Sequence, residues 1–181
     1  MTIRSIALFV HVLGMLMLFV GLAAEWLSLE TLRRSNGETS PLAVSVLRSL
    51  PRSAGISGAL LLLSGIYMAA RVAVWDSAWV RLSFVALIVI AILGRMALRP
   101  VVRDIQQSPG DRSQALRLRQ HASGAFLQAS LRVRVAIALA IIYLMIDKPE
   151  VVASVAVVGV AIAIGAVLSL QRRSQSVFVR S

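Results

Sequence analysis

Five apolar stretches interrupt this chain, near residues 4–25, 53–72, 80–98, 126–146 and 151–170, and its arginines are sorted onto alternate sides of them. That pattern fixes the solvent before anything else. A helix crossing ~30 Å of hydrocarbon needs ~20 largely apolar residues, because its backbone polar groups must be satisfied within the segment. Three stretches are clean: Ile6 to Ala24, Ser53 to Ala70 and Val151 to Leu170 hold no Asp, Glu, Lys or Arg. The other two are shorter. Thirteen residues separate Arg81 from Arg95, and twelve separate Arg134 from Asp147. Spans there require arginines at membrane depth, with side chains reaching for the headgroups. Re-entrant segments are the alternative.

The expected fold is therefore all-α: a polytopic membrane protein, a bundle of five transmembrane helices with short cytoplasmic helical extensions. Five spans use most of the 181 residues, so residues 1–181 read as a single transmembrane domain without linker or repeat. A composition 58% hydrophobic agrees, being far from the soluble average. The first apolar run ends in Glu25-Trp26 instead of a small-residue cleavage site, and is expected to stay as a mature helix.

A net charge of +11 raises nucleic acid as a partner. The arginines flank apolar helices and form no basic face with interleaved aromatics, so no nucleic acid is expected. Membrane lipids, with anionic headgroups on the cytoplasmic side, fit better. The absence of cysteine removes disulfides, thiolate metal sites and cysteine nucleophiles.

Alternation assigns Arg4, Arg71, Arg81 and Lys148 to one side of the membrane. Arg33, Arg34, Arg48, Arg52, Arg99, Arg103, Arg112, Arg117, Arg119, Arg172, Arg173 and Arg180 fall on the other. Basic loops stay in the cytoplasm. The expected location is the bacterial cytoplasmic membrane, multi-pass, with the N-terminus outside and the C-terminus cytoplasmic. Trp75 and Trp79 suit an outer interfacial belt and Trp26 an inner one. Asn36-Gly37 reads as a helix stop, and Ser40-Pro41 as an N-cap followed by proline at the first helical position. A short surface helix is expected from there to Pro51. Ser108-Pro109-Gly110-Asp111 reads as a turn, with a helical segment over 112–131 behind it. Asp147-Lys148-Pro149 makes a tight outer turn.

Two constellations stand out. On a helical wheel Gly14, Met15, Leu18, Leu22 and Glu25 share the face of His11, so that face is expected to point into the bundle. An ionisable residue inside a membrane is a functional candidate by default. Imidazole binds haem iron or copper, and Met15 stands one turn away to offer a thioether, so His11 and Met15 are candidate ligands for haem b or copper. Alternatively the histidine bonds a backbone or hydroxyl group of a neighbouring helix. A bis-histidine haem is disfavoured, because His121 belongs to the opposite side, more than ~25 Å away by helix rise. Glu25, Arg95, Arg132 and Arg134 form the second constellation, at one depth on three helices. They read as a buried ion-pair network or as a cationic pocket for a lipid headgroup, an anionic solute or haem propionates. On the outer side Arg71, Asp76, Arg81 and Asp147 are expected to pair. Ala54, Gly58 and Gly65, and then Gly159, Ala163 and Ala166, read as seams where helices approach closely.

The run Ala7-Leu8-Phe9-Val10-His11-Val12-Leu13-Gly14, with Gly21 after it and Ser64-Gly65-Ile66-Tyr67 in the second helix, resembles uncharacterised DUF2269-like bacterial membrane proteins. More distantly it is similar to the CopD and HemJ-like bundles. The resemblance implies a four-to-five-helix fold in which His11 is a haem or metal ligand. No second histidine or lysine stands at matching depth in a facing helix.

No HExxH, GxSxG or phosphate loop is present, and no paired carboxylates lie inside a span. The leading expectation is a non-enzymatic inner-membrane protein that binds a ligand, lipid or partner protein, as an accessory subunit of a larger complex or as a homo-oligomer. A haem- or copper-binding redox protein using His11 and an oligomeric small-solute transporter are the alternatives.

Overall fold

The computed structural model describes residues 2–34, 40–107, 112–148 and 150–178. It is all-α, with six helices: α1 (Ile3–Arg34), α2 (Pro41–Val72), α3 (Ala78–Gln107), α4 (Arg112–Ser123), α5 (Ala125–Asp147) and α6 (Val151–Phe178). Among the described residues four of them, α1, α2, α3 and α5, are long and apolar enough to cross a membrane. The chain is thus a multi-pass membrane protein by helix length and hydropathy, with four such spans among the described residues where five were expected. The fifth stretch enters α6, but its described apolar part, Val151–Ala163, is shorter than a span. At ~1.5 Å per residue it covers ~20 Å of a ~30 Å core.

Ser40 caps α2 as expected. Its hydroxyl accepts from the Ala43 amide and Pro41 occupies the first turn. The separate surface helix ending at Pro51 does not form, because α2 runs through Pro51 without a break. Likewise α3 runs through Pro100, well beyond the apolar stretch that ended near residue 98. A proline removes one helical hydrogen bond and crowds the carbonyl four residues back. Here packing on both sides of each ring holds the helix. Leu47 and Leu50 are buried before Pro51 and Ser57 after it; Ala97 and Leu98 are buried before Pro100 and Val101 and Ile105 after it. The helical segment expected over 112–131 is divided at Gly124, which caps α5. Asn36-Gly37 and the turn 108–111 lie outside the described residues.

Neighbouring helices are antiparallel. The first half of α1 meets the second half of α2, where Gly14 lies under Leu60 and Leu61. Early α5 meets late α6, where Gly165 faces Val133. Helix α5 also packs on α3, and the short α4 bridges α1 and α3.

Burial is distributed as two solvents require. Most of the fully buried large residues, Leu29, Leu32, Leu47, Val101, Ile105 and Leu118, gather at the arginine-rich end, while Ile137 and Leu144 lie further along α5. There α4 closes over the extensions of α1 and α3, and apolar side chains must be hidden from water. Elsewhere large apolar residues stay on the surface, among them Phe9, Leu16 and Val20 on α1, Leu63 on α2, Ile88 and Ile92 on α3, and Val152 on α6. Lipid tails are as apolar as these side chains and exert no pressure to bury them.

Candidate functional site

His11 is 7% exposed and faces α2. Its Nδ1 lies 3.0 Å from the Ser64 hydroxyl, and that hydroxyl donates to the carbonyl of Leu60. A serine has one proton to give, so the imidazole Nδ1–H donates to Ser64 and Nε2 carries the lone pair. Gly65 lies against the ring, where a Cβ would stand at ordinary contact distance, 3.6 Å from His11 Cε1 and 3.5 Å from Phe84. The contact with Ser64 is the hydrogen bond to a neighbouring helix's hydroxyl that was one of the two roles expected for His11. Met15, one turn along, is half-buried. No group of three His, Asp or Glu side chains that could hold a metal occurs among the described residues. His121, expected to be solvated, bonds Asp104 through Nε2 at 2.8 Å and ties α4 to α3.

The second constellation divides. Glu25 is 2% and Arg134 4% exposed. They form a two-pronged pair: Arg134 Nη1 donates to Glu25 Oε2 at 2.9 Å, and Nη2 donates to Oε1. Arg134 Nε donates to the Ser130 carbonyl at 3.3 Å, and the Ser130 hydroxyl reaches the Leu93 carbonyl of α3. Gly94 is required here, since a Cβ would come within 2.9 Å of Arg134 Nη1. Arg132 is half-buried. Two residues from Arg134, it sits ~200° around α5 and faces elsewhere. Arg95 is exposed and does not join the ion pair.

Arg95 does line a groove that Glu25 and Arg134 also border. This groove, ≈ 730 Å³, runs between α1, α2 and α3. Its walls are apolar through most of their length. Three of its glycines, Gly21, Gly55 and Gly58, have no atom within 4 Å of where a Cβ would stand, so each leaves open space. Toward the arginine-rich end the wall becomes Arg95, Arg99, Arg103 and Gln106, all exposed. The three arginines are four residues apart on one face of α3. Among the described residues none of the three faces a carboxylate in an ion pair. The sequence reading placed Arg99 and Arg103 only on the basic side of the membrane and passed over Gln106, because the apolar stretch ended at residue 98. The spacing that stacks them was visible all along.

On the opposite end the expected pairs are partly realised. Arg81 meets Asp76 and also donates to the Trp75 carbonyl. Arg71 instead lies over the ring of Tyr67, and Asp147 accepts from the Tyr143 hydroxyl. Trp75 stacks on Phe84 with ring centroids 5.7 Å apart. The small-residue seams also differ. Gly58 and Gly159 have open space at the Cβ position, while Gly14 and Gly165 are the close approaches.

The fold and these sites define a small helical membrane protein. No protein-family model, curated protein or solved structure matches the chain.

Proposed function

We propose that this protein is a non-enzymatic membrane protein that holds an anionic lipid in the groove between α1, α2 and α3. The observation that carries the reading is the change of character along that groove. It is apolar and opened by glycines within the membrane zone, and it ends under a row of arginines that pair with no carboxylate among the described residues. A volume of ≈ 730 Å³ falls within the range of small-molecule sites. An amphiphile laid along it places its chain against apolar walls and its headgroup on guanidinium groups, which bind phosphate with two parallel hydrogen bonds. The Glu25–Arg134 pair is already satisfied and serves as a fixed wall. The arginine-rich end is assigned to the cytoplasm by the positive-inside tendency, which puts the N-terminus outside and the groove's mouth in the inner leaflet. Because α6 returns along α5 toward that end, the C-terminus is cytoplasmic on this reading.

Native mass spectrometry of the purified protein tests it. Lipid should remain bound after delipidation that strips the bulk, and Gly58→Leu, whose side chain would enter open space, should remove it while leaving the fold intact. Retention of the same lipid by Gly58→Leu would reject the groove as the site.

A further inference from the structure

Resting on that reading, we infer that the groove selects a lipid whose headgroup carries two phosphate groups over one that carries a single phosphate. Arg95, Arg99 and Arg103 stand at i, i+4 and i+8 on the groove face of α3. Eight residues of helix span ~12 Å. One phosphodiester with one negative charge engages one or two guanidinium groups and leaves at least one without a counter-charge.

The protein itself supplies no compensation there among the described residues. Glu25, the carboxylate bordering the groove, is committed to Arg134 on both oxygens. Asp104, next in sequence to Arg103, is directed to His121 across the α3–α4 contact. Glu30 takes Arg33 and Arg34. Like charges four residues apart on a helix repel, so this row is poised for an external polyanion. Gln106, a further turn along, adds a side-chain amide that donates to a phosphate oxygen but brings no charge. The groove above the row is a single channel between three helices. It takes one hydrocarbon chain, and any other chains of the same lipid stay in the bilayer.

The test is lipid competition on the full chain in detergent, read by native mass spectrometry. The probes are phosphatidylglycerol with one phosphate, cardiolipin with two phosphates and four chains, and farnesyl diphosphate with two phosphates and one chain. Inorganic pyrophosphate is the chain-free control. At least one two-phosphate amphiphile should bind about tenfold more tightly than phosphatidylglycerol, the gain of one further charge-assisted contact. Pyrophosphate should compete poorly. Arg99→Gln, at an exposed position, should bring the two-phosphate and one-phosphate lipids to parity without changing thermal stability. Equal binding of all three lipids, each weakened by Gly58→Leu, would overturn the headgroup inference and leave the groove reading standing. Binding indifferent to Gly58→Leu would overturn both. A two-phosphate preference unchanged in an Arg95→Gln, Arg99→Gln, Arg103→Gln triple variant would overturn the assignment to this row.

Discussion

Glu25 and Arg134 depend on each other more than the fold depends on the pair. Each is almost wholly buried, and removing one partner of such a pair costs ~3–5 kcal/mol by stranding the other charge. Glu25→Ala should therefore lower the thermal midpoint in detergent severely. Glu25→Leu with Arg134→Met, which removes both charges and keeps the volume, should return most of the loss. If the double variant is as unstable as the single one, the pair is contributing something other than mutual neutralisation. A milder effect is expected at the other end of α1. Ser64→Ala deprives the buried His11 Nδ1–H of its acceptor and should cost ~1–3 kcal/mol, measured as a shift in thermal unfolding. These two contacts differ in how far the sequence foretold them. Depth along a helix follows from the rise per residue, so Glu25 and Arg134 were placeable at one level. The direction a side chain faces around its helix depends on neighbours the sequence does not identify, which is why Arg95 and Arg132 were grouped with them and do not join the pair. Ser64 stood out only as part of the Ser64-Gly65-Ile66-Tyr67 run, and nothing there marked it as the partner of His11.

For the helices, the informative residues are the ones that should have ended or joined them. Gly159 and Gly165 are both helical glycines of α6, and a small-residue pattern alone cannot separate them. Their surroundings do. A Cβ at Gly165 would stand 2.9 Å from the Cα of Val133, where backbone must move; a Cβ at Gly159 meets nothing within 4 Å. Gly165→Ala should destabilise by ~1–3 kcal/mol, as overpacking does, whereas Gly159→Ala should be neutral or gain up to ~1 kcal/mol from helix propensity. Thermal unfolding of the two variants side by side checks this, and equal effects would mean that α6 does not pack on α5 as described. Pro51 and Pro100 show the opposite error. Local rules make proline a stop, but Leu47, Leu50, Val101 and Ile105 fix the flanking turns through tertiary contacts. The consequence at α3 is functional, because only a helix continuous through Pro100 lines up Arg95, Arg99 and Arg103.

At the scale of the whole molecule, the sequence announced the membrane because hydropathy is a sum over many residues and survives errors at any one of them. The number of crossings is a finer matter. Four helices meet the requirement among the described residues, and α6 decides whether the two ends of the chain share a side. The contact of Gly165 with Val133 brings α6 back along α5 toward the arginine-rich end, and several of its valines, Val152, Val155 and Val160, lie on the surface as lipid-facing residues do. The absence of native cysteine makes this directly measurable. Thr2→Cys and Ser123→Cys occupy exposed positions near the two ends of the bundle, and a third variant adds a cysteine after Ser181. A membrane-impermeant maleimide applied to intact cells should label the cysteine at position 2, and should reach the one at 123 and the C-terminal one only after permeabilisation. Labelling of the C-terminal cysteine together with position 2 would show that α6 does not complete a crossing. Labelling of position 123 in intact cells would reverse the assignment of the arginine-rich end, and with it the leaflet from which the groove takes its lipid.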